Sequence, residues 1–414
     1  MEFDILDLSL KEIGREKIEW IKDFMPVLCM IEKDFIKSQP LKGIKISMAL
    51  HLEAKTAFLA VVLKNLGADI RVTGSNPLST QDEITAALVD MGISVFAYRG
   101  VDSKTYKQHL IKALSHKPHI VIDDGADLAF TLHKERPDLM ENVYGGCEET
   151  TTGVVRLRAM DREKVLKYPM FAINDADCKH LFDNRYGTGQ SSLEGVMRAT
   201  NLTLFGKKVV VAGYGWCGKG IAQKAKGFGA NVVVTEVDSV KALEAAMDGF
   251  DVMPMIKAAK IGDIFITSTG DIDVITKKHF MVMKNNAILC NAGHFDCEIS
   301  MPELKEIAVK QEQRRNGVTG FYLSNGKVIN VLGEGRLVNL ACADGHAAEI
   351  MDMSFALQLL TVMHVLENHD KLENKLYDVP EYIDRAVADA KLKSMSIEID
   401  KLTKKQKKYL ESWD

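Results

Sequence analysis

A run of glycines and a distant acid form the clearest chemical pattern in the chain. Gly213-Tyr214-Gly215-Trp216-Cys217-Gly218 follows the apolar run 207–212, and Glu236 ends a second apolar run at 231–235. The glycines permit a tight turn and let backbone N–H groups approach a pyrophosphate at a helix N-terminus. An acid about 20 residues later can accept both ribose hydroxyls of NAD and would repel the 2′-phosphate of NADP. The pattern predicts an NAD site; the alternative is an ordinary βαβ unit with incidental glycines.

A second set of polar side chains follows four predicted strands in the first half of the chain. The set comprises His51, Ser75 with Asn76, Asp123 with Asp124, and Asn174 with Asp175. Ligands of parallel sheets bind beyond the carboxyl ends of the strands, so these positions predict a substrate crevice. Helix caps and turn formers explain any one of them well, but explain all four less well.

The apolar pattern predicts the elements that position these groups. Residues 1–40 look helical, and from Ile44 short apolar strands alternate with helices, which is typical of a parallel sheet covered on both faces. Predicted strands are 44–49, 69–73, 94–98, 119–122, 169–173, 264–267, 287–290 and 327–332. Predicted helices are 54–66, 81–91, 106–114 and a long apolar one from about 348 towards 365.

These elements predict an α/β fold with two lobes. A Rossmann NAD-binding domain is expected at 190–345, and a doubly wound parallel-sheet substrate domain at 1–185 and 347–380, followed by a C-terminal segment at 381–414. The chain would cross between the lobes twice, near 185–192 and near 345–348. Two crossings make a hinge, and a hinge suits an enzyme that closes over its reactants.

Composition narrows the functional classes. The 414 residues carry 53 basic and 57 acidic side chains, so the nearly balanced charge does not indicate binding to nucleic acid or to an anionic membrane. Seven scattered cysteines form no C-x-x-C pair and no metal-type cluster with histidine, which suits reduced thiols. An acidic N-terminus and the lack of a membrane-spanning apolar run favour a cytoplasmic protein. No metal site is predicted.

Several short motifs, in this order and spacing, resemble the S-adenosylhomocysteine hydrolase family over nearly the whole chain. The motifs are Ser79-Thr80-Gln81-Asp82, Asp123-Asp124-Gly125, Glu148-Glu149-Thr150-Thr151-Thr152-Gly153, Asn174-Asp175, Lys179 with Phe182-Asp183-Asn184, Gly213-Tyr214-Gly215, Gly293-His294-Phe295-Asp296 and Glu334-Gly335-Arg336-Leu337-Val338-Asn339-Leu340. The resemblance implies two lobes, a tightly held NAD, usually a homotetramer, and reversible cleavage of a nucleosyl-homocysteine thioether.

The chemistry of that family explains the residue types. A thioether at ribose C5′ leaves poorly, and the C4′ proton is not acidic until the 3′-hydroxyl is oxidised to a ketone. Elimination of the thiolate, addition of water and reduction of the ketone then complete the hydrolysis without net redox. The ketone must be shielded from water, which is a reason for lobe closure.

The resemblance also implies roles for matching side chains. Lys179 and Asp183, at i and i+4, would handle the 3′-hydroxyl proton, and desolvation is expected to lower the pKa of the lysine into a working range. Asp124 and His51 would carry protons at C4′ and O5′ with His294 nearby, and which does which is open. The remaining implied contacts are Glu149 and Asn184 at the ribose and the lysine, Thr150, Thr151, Thr152, Asn184 and Asn339 at NAD, and His346 at the homocysteine side.

One departure from the family concerns the purine. Where the family has His-x-Thr-x-Glu, with the threonine and glutamate facing adenine, this chain has His51-Leu52-Glu53-Ala54-Lys55. Lysine only donates hydrogen bonds and ionised glutamate only accepts them, which is wrong for adenine and right for the O6 and N1–H of hypoxanthine. The chain is therefore predicted to prefer S-inosyl-L-homocysteine. The alternative is that the substrate is S-adenosyl-L-homocysteine and that Glu53 and Lys55 are solvated residues of a first helical turn.

Three further departures affect the cofactor side. Thr188 stands where the family usually has cysteine, and Lys241 replaces an asparagine that contacts the NAD ribose. The chain stops at Asp414, without the longer tail whose lysine and tyrosine reach a partner subunit's NAD in many relatives. These differences leave the affinity for NAD and the tetramer open.

Two rival functions stay in view. A plain NAD-linked dehydrogenase would consume NAD stoichiometrically and lacks paired sites like Asp124 and Lys179 in a separate lobe. A catalytically silent NAD-binding relative would be expected to lose catalytic groups, whereas this chain retains them.

Overall fold

The computed structural model describes residues 1–413 and contains two β-sheets. Asp414, the last residue of the predicted C-terminal segment 381–414, lies outside the described residues. The first sheet has seven strands in the order β15-β6-β5-β4-β1-β2-β3, and every neighbouring pair is parallel. Its strands are β1 (Lys45–Leu50), β2 (Asp69–Gly74), β3 (Ser94–Phe96), β4 (Ile120–Asp123), β5 (Gly145–Glu148), β6 (Met170–Ala172) and β15 (Leu376–Asp378).

The second sheet has eight strands in the order β12-β13-β14-β11-β10-β7-β8-β9. The hairpin pairs β12–β13 and β13–β14 are antiparallel, and the other pairs are parallel. Its strands are β7 (Lys208–Ala212), β8 (Asn231–Thr235), β9 (Asp251–Val252), β10 (Ile264–Thr267), β11 (Ala287–Asn291), β12 (Ala308–Arg315), β13 (Val318–Leu323) and β14 (Val328–Leu332).

Helices cover both sheets because the central strands are buried on both faces. β4, β5, β10 and β11 have no exposed residue, as expected of parallel strands that need cover on each side. The helices are α1 (Lys11–Lys22), α2 (Pro26–Phe35), α3 (Ala54–Asn65), α4 (Asp82–Asp90), α5 (Ser103–Leu114), α6 (Asp127–Phe130), α7 (Thr151–Arg162), α8 (Asp177–Lys179), α9 (Thr188–Thr200), α10 (Trp216–Gly227), α11 (Ser239–Met247), α12 (Met255–Ile261), α13 (Lys277–Phe280), α14 (Met301–Ile307), α15 (Val338–Ala341), α16 (Ala348–Asn368), α17 (Glu381–Ser394) and α18 (Lys404–Leu410).

The predicted two-lobed α/β fold is confirmed, and the predicted strands lie within a few residues of the observed ones. The sequence analysis missed the β12–β13 hairpin, because most side chains of β12 are exposed and charged or amide-bearing rather than apolar. It also missed the π-helical segment His180–Gly187. The proposed domain limits at 185, 190, 345 and 347 stay predictions.

Helix α16 belongs to the core of the first lobe. The helical stretch Ala348–Lys371, which includes α16, is long and apolar enough to span a membrane, but most of its apolar part is buried inside the protein. Its buried polar residues include Asp352, Ser354 and Gln358. Asp352 accepts hydrogen bonds from the backbone N–H groups of Val27 and Leu28, which tie α2 to this helix.

Candidate active site

One cavity of about 1380 Å³ is lined by residues of both sheets and of the segments that follow their strands. Small-molecule sites usually enclose about 300–1,000 Å³, so this volume has room for a substrate and a dinucleotide together. The residues assigned to catalysis, substrate or cofactor from the glycine pattern and the family resemblance all line it, except Gly218. Of the polar residues that follow the predicted strands, His51 and Asp124 line the cavity, whereas Ser75, Asn76, Asp123, Asn174 and Asp175 do not.

The first cluster in the cavity joins two histidines through one carboxylate. His51 follows β1, Asp124 follows β4 and His294 follows β11. His51 Nε2 lies 3.2 Å from Asp124 Oδ2, and His294 Nδ1 lies 3.5 Å from Asp124 Oδ1. Ser75 donates a hydrogen bond to Asp124 Oδ2 at 3.0 Å. The ligand atoms of the triad lie within 4.8 Å of one another, close enough for a metal ion, a use that the sequence analysis does not predict.

Burial sets the protonation of this cluster and of the carboxylates beneath it. Burial lowers the pKa of His51 to about 4, although Asp124 opposes the shift, so the imidazole is neutral near pH 7. Burial raises the pKa of Asp123 to about 7 and that of Glu148 well above its ordinary value. Glu148 accepts hydrogen bonds from the backbone N–H groups of Gly125, Ala126 and Thr150, and so holds the turn that carries Asp124.

The second cluster surrounds a buried lysine. Lys179 Nζ lies 3.2 Å from Asp183 Oδ1 and 3.5 Å from Glu149 Oε1, and it donates to Asn184 Oδ1 at 3.0 Å. The predicted i, i+4 neighbours are therefore in contact, at the junction of α8 with the π-helical segment. Asn184 donates to Asn174 Oδ1 at 2.9 Å, which fixes its amide.

The expected pKa of Lys179 is wrong in direction. Burial lowers it, but the negative charges of Asp183 and Glu149 outweigh burial and raise it above its ordinary value. The lysine is therefore a cation in this arrangement. Burial raises the pKa of Glu149 to about 7, with Lys179 opposing the shift, so the glutamate is the group of this cluster that is poised to exchange a proton near neutral pH.

A polar face of α16 supports these charges and was missed by the sequence analysis. Ser354 donates to Asp183 Oδ2 at 2.7 Å, and Gln358 donates to Glu149 Oε2 at 2.6 Å. The two residues are four apart, one turn of a helix. The available signal was a pair of polar residues at helical spacing within an otherwise apolar run.

His346 contacts the lysine cluster from the predicted second crossing. Its Nδ1 lies 3.0 Å from Asp183 Oδ1, and its Nε2 lies 3.2 Å from the hydroxyl of Thr188, which is on the first crossing. A Cβ at Gly187 would lie 2.8 Å from the imidazole, so glycine is needed for this approach. The two predicted crossings therefore meet at the lysine cluster.

Glu53 and Lys55 are buried, so they are not solvated residues of a first helical turn. Both line the cavity. Glu53 caps α3, accepting from the backbone N–H groups of Lys55 (3.0 Å) and Thr56 (3.3 Å). Its Oε2 also lies 2.5 Å from Lys55 Nζ. The sequence analysis treats the two charges separately, whereas the structure pairs them.

The cofactor side of the cavity is built from backbone. Gly213 directly follows β7, its φ of +93° favours glycine, and α10 begins at Trp216. Gly213 and Gly215 line the cavity, but Gly218 does not. A Cβ on Gly218 would lie 2.0 Å from the carbonyl oxygen of Gly213. Gly218 therefore lets the helix pack closely against the strand, and its assignment as a cofactor contact stays a prediction.

Glu236 follows β8 at the mouth of the glycine turn. Its carboxylate accepts from the backbone N–H groups of Tyr214 and Val237 at 2.7 Å and of Asp238 at 3.1 Å. These bonds hold the acid beside the turn, where the sequence pattern predicts ribose recognition. Lys241 lines the same part of the cavity.

The residues present fit a bound NAD. Asn339 lines the cavity with a buried Oδ1 that has no hydrogen-bond partner within the described residues, while its Nδ2 donates to Ser191. An amide donor of a ligand would satisfy that oxygen. Thr150, Thr151 and Thr152 also line the cavity, at the start of α7.

Fold and cavity together define an NAD-binding α/β enzyme whose reactants meet between two sheets. Family models agree: the description "S-adenosyl-L-homocysteine hydrolase" matches residues 2–142, and "S-adenosyl-L-homocysteine hydrolase, NAD binding domain" matches residues 184–345. The chain belongs to the S-adenosyl-L-homocysteine hydrolase family. It is a hydrolase that uses NAD.

Curated relatives cover the whole chain under two names. S-inosyl-L-homocysteine hydrolase of Methanocaldococcus jannaschii is 58% identical over 99% of both chains. Adenosylhomocysteinase of Aquifex aeolicus is 57% identical over 100% of this chain and 99% of its own. Adenosylhomocysteinase of Thermococcus kodakarensis is 55% identical over 100% of this chain and 98% of its own. Because the sequence identities to the two kinds of relative are nearly equal, they do not decide whether the substrate carries hypoxanthine or adenine.

Proposed function

We propose that the chain hydrolyses S-inosyl-L-homocysteine reversibly to inosine and L-homocysteine. The observation that carries the proposal is the buried Glu53–Lys55 pair on the cavity wall, at the positions where the family reads the base. Bound NAD would oxidise the 3′-hydroxyl at the start of the cycle and reduce the ketone at its end. The remaining steps fall to the side chains of this chain.

Lys179, Asp183 and Glu149 are proposed to bind the ribose and to move the 3′-hydroxyl proton. Glu149 Oε1 is buried without a hydrogen-bond partner, so it is open to a ribose hydroxyl. Its pKa of about 7 suits a group that takes up and returns a proton near neutral pH. The lysine cation stabilises the negative charge that develops on O3′, and Asn184 orients the lysine.

His51, Asp124 and His294 are proposed to act at C4′ and O5′. They face the same cavity as the lysine cluster but come from other strand ends. Asp124 contacts both imidazoles, so a proton taken from C4′ can be passed within the triad and delivered at O5′. His346, on the second crossing, is proposed to lie toward homocysteine.

The hydrogen-bonding capacity of Glu53 and Lys55 favours hypoxanthine. The ammonium of Lys55 has three donors, of which Glu53 Oε2 takes one and the carbonyl of Asp344 takes another at 2.8 Å. One donor is left for O6. Glu53 Oε1 makes only long contacts, 3.3 Å and 3.4 Å, with Thr56, so it can accept from N1–H.

The pairing also limits how strongly adenine is rejected. With adenine bound, the two charges still neutralise each other, so no isolated buried charge results. The loss is then two charge-assisted hydrogen bonds of about 1.5 kcal/mol each, or roughly 10²-fold in kcat/KM. This is less than the ~10⁴-fold expected where rejection leaves buried polar groups unpaired.

Exchanging the two residues for the family pattern tests the assignment. Glu53→Thr with Lys55→Glu should move the ratio of inosyl to adenosyl kcat/KM towards adenosine, and threonine can still cap α3. Lys55→Met is the matched control, since it removes the donor to O6 without adding an acceptor for the adenine amino group. It should lower inosyl turnover and bring no adenosyl gain. A ratio that stays unchanged in the double variant counts against the assignment.

The two rival functions predict different signals in the same assay. A dehydrogenase would accumulate absorbance at 340 nm in proportion to turnover, whereas the proposed hydrolase releases thiol without net reduction. A silent relative would release no thiol from either purine thioether. Thiol release without growing absorbance supports the proposal over both.

The family resemblance supports a homotetramer, and the composition of the sequence supports a cytoplasmic location; both are proposals. Exposed apolar side chains on and beside α11, among them Val237, Val240 and Met247, form surface that an assembly would cover. Sedimentation of the NAD-bound protein measures its mass, and titration of NAD-free protein measures the affinity for NAD that Lys241 leaves open.

A further inference from the structure

Ser79 lies behind the histidine of the first cluster and has no role in the proposed function. It is 3% exposed and belongs to the motif Ser79-Thr80-Gln81-Asp82. Its hydroxyl oxygen lies 2.8 Å from His51 Nδ1 and 3.0 Å from the carbonyl oxygen of Asn76. The hydroxyl therefore connects the imidazole to the main chain.

A hydroxyl has one proton to donate, and this limits the arrangement. The carbonyl of Asn76 can only accept, so it takes the proton of Ser79. If the hydroxyl donated to His51 instead, the oxygens of Ser79 and Asn76 would face each other at 3.0 Å without a proton between them. The favoured order is His51 Nδ1–H to Ser79 Oγ–H to the carbonyl of Asn76, which places the ring proton on Nδ1.

The other ring nitrogen then faces a carboxylate. His51 Nε2 lies 3.2 Å from Asp124 Oδ2, which already accepts from Ser75 at 3.0 Å. A neutral imidazole protonated at Nδ1 has a lone pair at Nε2, and a lone pair cannot lie beside a bare carboxylate oxygen without repulsion. One proton must therefore lie between Nε2 and Oδ2.

We propose that Ser79 is a positioning residue that fixes the tautomer of His51, so that His51 Nε2 and Asp124 Oδ2 share the single proton that is exchanged with substrate. This rests on the roles proposed for His51 and Asp124, and it is independent of which purine is bound. Without Ser79, Nδ1 loses its acceptor and the ring proton distributes over both nitrogens. In the molecules whose ring proton is on Nε2, that proton lies between His51 and Asp124 but is the only proton of a neutral imidazole, so no second proton is held there for exchange with substrate.

Nitrogen NMR of the NAD-bound enzyme labelled at its histidine rings reads the tautomer directly. His51→Gln assigns the two signals of His51 by their disappearance. We expect protonated Nδ1 in the unaltered chain, a mixture of tautomers in Ser79→Ala, and recovery of the Nδ1–H signal in Ser79→Thr, which keeps the hydroxyl. Ser75→Ala is the matched control, because it removes a hydroxyl from the same carboxylate but leaves the acceptor of Nδ1 in place.

The rate of hydrogen exchange at C4′ is a kinetic measurement of the same proton transfer. Exchange of the C4′ hydrogen of bound nucleoside with solvent deuterium should fall about tenfold in Ser79→Ala, the scale of one lost hydrogen bond. Bound NAD and the melting temperature of each variant show whether it has folded.

Two results would overturn the proposal: a bare Nδ1 with Nε2–H in the unaltered enzyme, or an unmixed Nδ1–H signal in Ser79→Ala. Neither depends on activity. Failure of thiol release with the expected tautomer present would instead count against the proposed function alone.

Discussion

The two sides of the cavity recognise their ligands by different means. The cofactor side, around Gly213 and Glu236, presents a glycine turn, backbone N–H groups and one carboxylate from a short stretch of chain. The substrate side holds buried charges that already contact each other; they come from strand ends, from α8 and from the π-helical segment, and uncharged side chains of α16 support them. Backbone recognition needs shape, so it tolerates changes in most side chains. A network of buried charges needs every partner, because an unpaired charge in the interior is costly.

This contrast makes removal of the central lysine the most damaging single change. Lys179→Met keeps much of the side-chain volume but removes the charge between Asp183 and Glu149. We expect kcat to fall about 10³-fold, within the usual range for loss of a group that stabilises developing negative charge, while NAD affinity stays the same. Steady-state kinetics and NAD titration measure both.

Lys284→Met serves as the control for that substitution, because it removes a surface lysine that pairs with Asp263 outside the cavity. Its kcat should equal that of the unaltered enzyme. If Lys179→Met weakened NAD binding as much as it slowed turnover, that result would contradict the conclusion that the two sides of the cavity act separately.

The reciprocal change on the cofactor side should affect binding rather than chemistry. Glu236→Ala removes the acceptor predicted for the ribose hydroxyls, so the Kd for NAD should rise about 10²-fold, equivalent to two charge-assisted hydrogen bonds. At saturating NAD, kcat should recover. Because the repulsion of a 2′-phosphate disappears, NADP should gain relative to NAD. Calorimetric titration with both dinucleotides gives these values, and Glu236→Gln should lie between.

His116 lies outside both sides of the cavity, so replacing it should change the stability of the protein but not its turnover, and the effect should be smaller than those above. Burial lowers the pKa of His116 to about 4 from its ordinary 6.5. The neutral ring therefore contributes stability that is fully present above pH 6.5 and is lost as the pH falls from 6.5 towards 4. Allowing for partial exposure, this amounts to about 1 kcal/mol between pH 7 and pH 5.

Replacing His116 measures its contribution to the pH dependence of the unfolding free energy. His116→Gln should lose about 1 kcal/mol less unfolding free energy than the unaltered chain between those pH values, as measured by urea denaturation. Turnover at pH 7 should be the same in both proteins. An identical pH dependence of stability would show that the ring is not held neutral by burial.

The cofactor side could be predicted from the sequence because its signals are local. The glycines and Glu236 lie on one βαβ unit, where period and spacing are sufficient. Even there, the role of Gly218 needed the structure, since packing and binding both call for glycine. The substrate side depends on residues as distant as His51 and His346, and only the family resemblance brought them together before the structure did.

What the sequence could not show is how neighbouring charges act on each other. Lysine and glutamate two residues apart were interpreted as separate donors and acceptors, but Glu53 caps the helix and pairs with Lys55. Burial alone would lower the pKa of Lys179, and two carboxylates reverse the sign. Both outcomes follow from distances of a few ångströms that no residue pattern contains.

The most direct test of the account is the ratio of kcat/KM for S-inosyl-L-homocysteine and S-adenosyl-L-homocysteine, measured side by side by thiol release from the NAD-bound enzyme. The buried Glu53–Lys55 pair predicts a preference for the inosyl thioether of about 10²-fold. Equal values, or a preference for the adenosyl thioether, would contradict it.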